Sequence, residues 1–269
     1  MFFKKLCAAA AMMTVAASSF AGDLVINGST TVLPIVQKAT EAFVKENPQV
    51  SVSLSGGGSG NGIKALVDGL TTIAMSSRDI KASETALAKK NNITPYRIAV
   101  AVDAIVPIVH NGNAVKSLSM AQLKSIYEGK IKNWKEVGGE DAAIVVVSRD
   151  SSSGTFETWE ELVMKKARVT PRALLQTSNG TVVQTVAKNK NAIGYIGIGY
   201  VDNQTQALVI DGKKATAESA KSKTWPLARE LYFFTNGEPK GDAKLFVDYM
   251  LDPAKGQKCV SETGFVPLK

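Results

Sequence analysis

Apolar residues along this chain follow two rhythms that alternate almost from end to end. Short runs at Leu24–Asn27, Val50–Leu54, Thr72–Met75, Ile144–Val147 and Ala192–Gly197 are rich in β-branched residues or alternate apolar with polar, and they predict strands. Between them, i, i+3, i+4 spacing such as Ile63, Leu66 and Val67 predicts helices, as do Ser119–Lys130 and Phe156–Lys166. The helix after the first strand carries Pro34 in its first turn, where the missing N–H costs nothing. Two runs, Ala99–Val109 and Glu230–Phe234, are almost wholly apolar, as strands buried on both faces are. The alternation predicts an α/β fold with mostly parallel sheets. The two long runs bracket a middle block, so we expect two lobes joined by two crossings.

The N-terminus reads as an address. Lys4 and Lys5 precede an apolar run from Leu6 to Ala17, and Ser19-Phe20-Ala21 is a small-residue cleavage site. That run is too short to span a bilayer of about 30 Å. Cys7 follows the lysines directly, a poor position for a lipid-anchored cysteine, so residues 1–21 are expected to be a cleaved signal peptide and the product periplasmic. Cleavage lowers the formal charge from +8 to +6, and the remaining basic residues are interleaved with acids. A scattered surplus of this kind argues against nucleic acid as a partner. Cys259 is then the sole cysteine, which excludes an internal disulfide and fits a buried apolar position. His110 is the sole histidine, at the end of an apolar run and before Asn111-Gly112, and it fits a strand end better than a catalytic base.

Three segments share an unusual make-up: Gly28-Ser29-Thr30-Thr31, Ser55-Gly56-Gly57-Gly58-Ser59-Gly60-Asn61-Gly62 and Ser151-Ser152-Ser153-Gly154-Thr155. Each combines glycine with hydroxyl side chains and runs directly into a predicted helix. A helix start presents unpaired N–H groups and about half a positive charge. Glycine allows close backbone approach, and Ser or Thr adds donors. Arg149 stands at the end of a predicted strand just ahead of the third segment, offering a planar fork of donors. Three helix ends and one arginine amount to roughly +2.5 nominal charges if they converge, which suits an oxyanion. Singly, each segment is as well explained as a capped turn. The glycine segment lacks the Gly-Lys-Ser/Thr ending of a P-loop, the G-x-G-x-x-G spacing of a dinucleotide site and the last glycine of a nucleophile elbow.

The stretches INGSTTVLPI, SGGGSGNGIKAL, IAMSSRDI, LKSIYEGKIKNWKEVGG, SRDSSSGTFETW, SNGTVVQTVAKNKNAIGYIGIGYV and GFVPL occur in this order over essentially the whole chain beyond residue 21. Together they resemble the periplasmic phosphate-binding proteins of phosphate ABC importers. The resemblance implies a two-lobed α/β fold of the periplasmic-binding type with two hinge crossings and a central ligand cleft. It implies one lobe from residues 22–102 and 230–269, the other from 103–229, and a monomer without cofactor. It further implies no catalysis: the protein would bind inorganic phosphate and present it to the membrane permease of a phosphate ABC transporter. By position, Ser29, Thr30, Thr31, Ser59 and Ser77 would line the site from the first lobe. Arg149, Ser153, Gly154 and Thr155 would line it from the second. One departure stands out. Well-known members carry aspartate where this chain has Ser77; that carboxylate takes the phosphate proton and repels sulfate, and Asp79 and Asp150 are the nearby substitutes. A receptor for sulfate, molybdate or arsenate is therefore the first alternative, and a secreted phosphatase the second.

Overall fold

The computed structural model describes residues 24–268; the expected signal peptide lies outside them. The chain runs β1 (Leu24–Gly28), α1 (Leu33–Glu46), β2 (Val52–Gly56), α2 (Ser59–Val67), β3 (Ile73–Ser76), α3 (Ala82–Lys90) and β4 (Pro95–His110). It continues through β5 (Ser117–Leu118), α4 (Met120–Tyr127), β6 (Val145–Arg149), α5 (Gly154–Leu162), β7 (Leu174–Gln176), α6 (Asn179–Ala187) and β8 (Ala192–Gly197). The remainder is β9 (Thr205–Ala207), β10 (Val209–Ile210), α7 (Ala217–Lys221), β11 (Ala228–Asn236), α8 (Gly241–Leu251) and α9 (Gly256–Glu262).

One strand ties the molecule together. The main sheet has the order β2-β1-β3-β11-β4-β8-β6-β7, with β9 also on β4. Strand β4 pairs with β11 from Pro95 to Ala104, then with β8 from Ile105 to Val109. It therefore changes partner between Ala104 and Ile105, and among the described residues a large core forms on either side, with a smaller cluster including Ile63, Leu66 and Phe234 on the β11 side. Leu24, Ile26, Val36, Phe43, Phe233 and Phe246 belong to one, with Phe43 meeting Phe246 edge-on at 5.0 Å. Ile105, Val106, Tyr127, Trp159, Tyr195 and Trp225 belong to the other. A two-lobed architecture follows, with β4 and the start of β11 as the segments passing between the cores.

The sheet is mixed, which corrects the expectation of mostly parallel strands. Pairs β1–β2, β1–β3, β6–β7 and β6–β8 are parallel, but β3–β11, β11–β4, β4–β8 and β4–β9 are antiparallel. The two crossing strands run in opposite directions and impose this on their neighbours. Both crossings are also longer than their apolar runs, because solvent-side residues such as Tyr96 and Arg97 continue the ladder with Thr235 and Phe234. Helix α5 begins two residues earlier than its apolar spacing suggests, since the Ser153 side chain caps it by accepting from Phe156 N–H at 3.2 Å. It ends before Lys165 and Lys166, whose φ of 51° and 66° cannot continue a right-handed helix. His110 closes β4 and accepts the Gly112 N–H through Nδ1 at 2.9 Å, and Cys259 is a buried free thiol, both as expected. Among the described residues no helix is long and apolar enough to cross a membrane.

Candidate anion-binding site

The three glycine and hydroxyl segments meet where the two cores face each other. Thr31 from the turn before α1 lies with its Oγ1 3.0 Å from Thr155 Oγ1 at the start of α5. Ser59, the first residue of α2, lies across from Gly154: a Cβ on Gly154 would fall 2.4 Å from Ser59 Oγ and 2.8 Å from Ser77 Oγ. Gly60 N–H donates to Ser152 C=O at 2.9 Å, joining the second and third segments through their backbones. Gly58 (φ 100°) occupies a conformation that favours glycine, and Ser152 packs where its side chain would be. Thr30, Thr31, Ser59, Ser77, Arg149, Ser153 and Thr155 are all buried.

Packing in the second core holds this end of α5 in place. Trp159, one turn along the helix, stacks on Tyr195 of β8 with ring centroids 4.1 Å apart and planes 8° apart. Tyr195 pairs its hydroxyl with Ser148 Oγ at 2.9 Å and accepts Arg149 N–H at 3.2 Å. Burial pushes the Tyr195 phenol up to about 12, so it stays a neutral brace. The same contacts fix the backbone from which Arg149 projects.

Arg149 is the electrostatic centre. Its Nε donates to Gln176 C=O at 3.0 Å, and one Nη donates to Thr177 C=O at 2.9 Å and Thr30 Oγ1 at 3.3 Å. The other Nη is buried with no partner in the protein. Burial pushes the Arg149 guanidinium below its ordinary range, and an arginine keeps its delocalised charge at neutral pH. A buried cation without a hydrogen-bonded carboxylate is costly unless an anion joins it.

A fourth helix start completes the cluster, and sequence reasoning missed it. Asn179, the first residue of α6, is fully buried; its Nδ2 donates to Thr31 Oγ1 at 3.1 Å and Thr30 Oγ1 at 3.3 Å. The run Ser178-Asn179-Gly180-Thr181 has the same glycine and hydroxyl make-up as the other three and was the available signal. Tyr200, from the turn after β8, donates to Thr30 C=O at 2.6 Å, tying the two halves together again.

Two charged residues inside the crossings were also missed. Asp103 of β4 is fully buried and accepts Ile198 N–H at 2.9 Å and Arg229 Nε at 2.8 Å. Burial pushes its carboxyl up, and the Arg229 guanidinium pulls it back. Arg229 of β11 continues to Thr155 Oγ1 at 2.9 Å. Asp79 is exposed and paired with Arg97, while Asp150 accepts Ser152 N–H at 2.9 Å within its own turn. Ser29 likewise serves its turn, accepting Thr31 N–H at 3.1 Å.

Gly154 lies at one of the tight contacts across the cluster. A Gly154→Ala substitution is expected to hold the two sides apart by its clash with Ser59 and Ser77, while each core folds as before. We expect anion affinity to fall roughly a hundredfold with little change in melting temperature; titration calorimetry and thermal unfolding check this, and unchanged affinity would mean that the close contact is not needed.

A PBP superfamily domain model matches residues 14–254. The chain is 34% identical over 248 residues to the phosphate-binding protein PstS of Bacillus subtilis, covering 92% of this chain and 81% of that protein. It superposes with a TM-score of 0.86 on a phosphate ABC transporter substrate-binding protein of Clostridium perfringens solved with bound phosphate, at 36% identity and covering 92% of this chain and 100% of the other. An ABC-type phosphate transport receptor of Vibrio cholerae gives a TM-score of 0.75 at 32% identity, over 91% and 99% of the two chains. The chain belongs to the PBP superfamily and, within it, to the PstS phosphate-binding proteins.

Proposed function

We propose that this protein is an exported receptor that binds inorganic phosphate between its lobes and delivers it to the membrane permease of a phosphate ABC transporter. The observation that carries the reading is the buried, unpartnered Nη of Arg149 in a cluster that joins hydroxyls from three helix starts to the Asn179 amide of a fourth. Such a cluster supplies donors and positive potential but no general base, which favours holding an anion over transforming one. We place the lobes at residues 22–102 with 230–269 and at 103–229; the change of partner along β4 supports that division. Ser29, Thr30, Thr31, Ser59, Ser77, Arg149, Ser153, Gly154 and Thr155 are the proposed ligand-binding set, with Ser29 acting through its turn. Closure over the anion replaces water with fixed N–H and O–H donors. The ion pairs from Arg78 and Lys81 to Glu157, at 2.7 and 2.6 Å, span the proposed lobes and would form in the closed state. We further propose a monomer, freed from residues 1–21 by cleavage and working in the periplasm.

Equilibrium dialysis of the purified chain against radiolabelled phosphate, with sulfate, arsenate and molybdate as competitors, tests the reading. Retention displaced by cold phosphate and not by sulfate is expected. Equal displacement by sulfate would make the protein a general tetrahedral-oxyanion receptor, and release of phosphate from a phosphomonoester would make it an enzyme.

A further inference from the structure

The threonine hydroxyls of the site are held by nitrogens that can only donate. Thr30 Oγ1 accepts from Arg149 at 3.3 Å and from Asn179 Nδ2 at 3.3 Å. Thr31 Oγ1 accepts from Asn179 Nδ2 at 3.1 Å, and Thr155 Oγ1 accepts from Arg229 at 2.9 Å. The orientation of the Asn179 amide is fixed independently: its Oδ1 accepts Gly197 N–H at 3.1 Å, so the NH2 end must face the threonines. A hydroxyl whose lone pair is taken by a donor-only nitrogen has its hydrogen left to give away. Of the two hydrogens shared between Thr31 and Thr155, one serves their mutual bond and one remains.

We propose that Asn179, supported by Arg229, is a positioning residue that commits the hydroxyl of Thr30, and the one free hydroxyl hydrogen of the Thr31–Thr155 pair, to donating toward the bound anion. Nothing in this role requires Asn179 to touch the anion. It sets the rotors before the ligand arrives, so the ordering of those hydroxyls is not charged to binding. The inference rests on the phosphate reading above.

A double-mutant cycle separates orientation from packing. Phosphate affinity is measured by calorimetry for the wild-type chain, Asn179→Leu, Thr30→Val/Thr31→Val, and the triple combination, each checked for folding by circular dichroism. Asn179→Leu is near in size, and the Gly197 N–H it leaves unpaired is the same in both backgrounds. We expect it to weaken phosphate binding roughly thirtyfold in the wild-type background, a loss comparable to one or two hydrogen bonds to a charged ligand. Without the two hydroxyls it should weaken binding by less than about threefold, because nothing is left for it to orient. Equal losses in the two backgrounds would overturn the proposal and leave Asn179 a packing residue, and so would no loss in either. If Asn179→Leu does not fold, the same cycle with Arg229→Lys and Thr155→Val carries the test with the same two readings. Failure of the wild-type chain to bind phosphate would instead remove the reading on which the inference stands.

Discussion

Replacing Arg149 with methionine is expected to abolish useful phosphate binding while leaving the ligand-free protein about as stable as before. The two halves of that result have one cause. Arg149 is buried with one Nη unpartnered and its hydrogen-bond partners are neutral oxygens, so no carboxylate is hydrogen-bonded to its charge. Removing a charged partner from a buried ionic contact typically costs about 3–5 kcal/mol, or roughly 150- to 5,000-fold in affinity. The ligand-free protein loses hydrogen bonds to the Gln176 and Thr177 carbonyls but is relieved of a desolvated cation. We expect these to offset to within about 1 kcal/mol. Calorimetry and urea unfolding without ligand read the two halves. A large loss of stability with intact binding would show that Arg149 is a structural strut.

A large loss of stability is expected at the other buried arginine. Arg229→Met leaves Asp103 fully buried without its partner, and the cost to folding should be about 3–5 kcal/mol. Asp103→Asn/Arg229→Met should recover most of it, because a neutral amide can still accept the Ile198 N–H. The single variant should also acquire a pH dependence. Burial already pushes the Asp103 carboxyl up, with Arg229 opposing; without Arg229 the folded-state value rises further above the unfolded one. Its neutral form then favours folding at low pH, and stability falls as pH rises from the unfolded to the folded value. Denaturant midpoints relative to wild type between pH 5 and pH 8 should therefore drop with rising pH, and a flat difference would contradict this account of the pair.

The contrast between the two arginines explains what the sequence could and could not reveal. The segments at residues 28–31, 55–62 and 151–155, and Arg149 beside the third, were legible because each announces itself locally: glycine for close approach, hydroxyls for donors, a helix directly after. Asn179 carries the same local signature, but it follows the short strand Leu174–Gln176, whose two leucines are exposed and give no strand rhythm. Asp103 and Arg229 could be seen as isolated charges at or within apolar runs, yet their pairing depends on β4 and β11 lying antiparallel in register. That register is a long-range outcome that local periodicity does not carry, and it is also why the sheet is mixed. Tyr200 had no signal, since its contact with the Thr30 carbonyl depends on how the two halves meet.

The central claim is that the buried cluster around Arg149 holds phosphate, and titration calorimetry of the chain lacking residues 1–21 tests it most directly. The protein is stripped of bound anion and titrated at pH 7 with phosphate, then with sulfate, beside Arg149→Met. We predict one phosphate per chain, bound tightly by the unaltered protein and not by the variant, with sulfate bound far more weakly. Phosphate bound equally by the unaltered protein and by Arg149→Met, or by neither, would contradict the account.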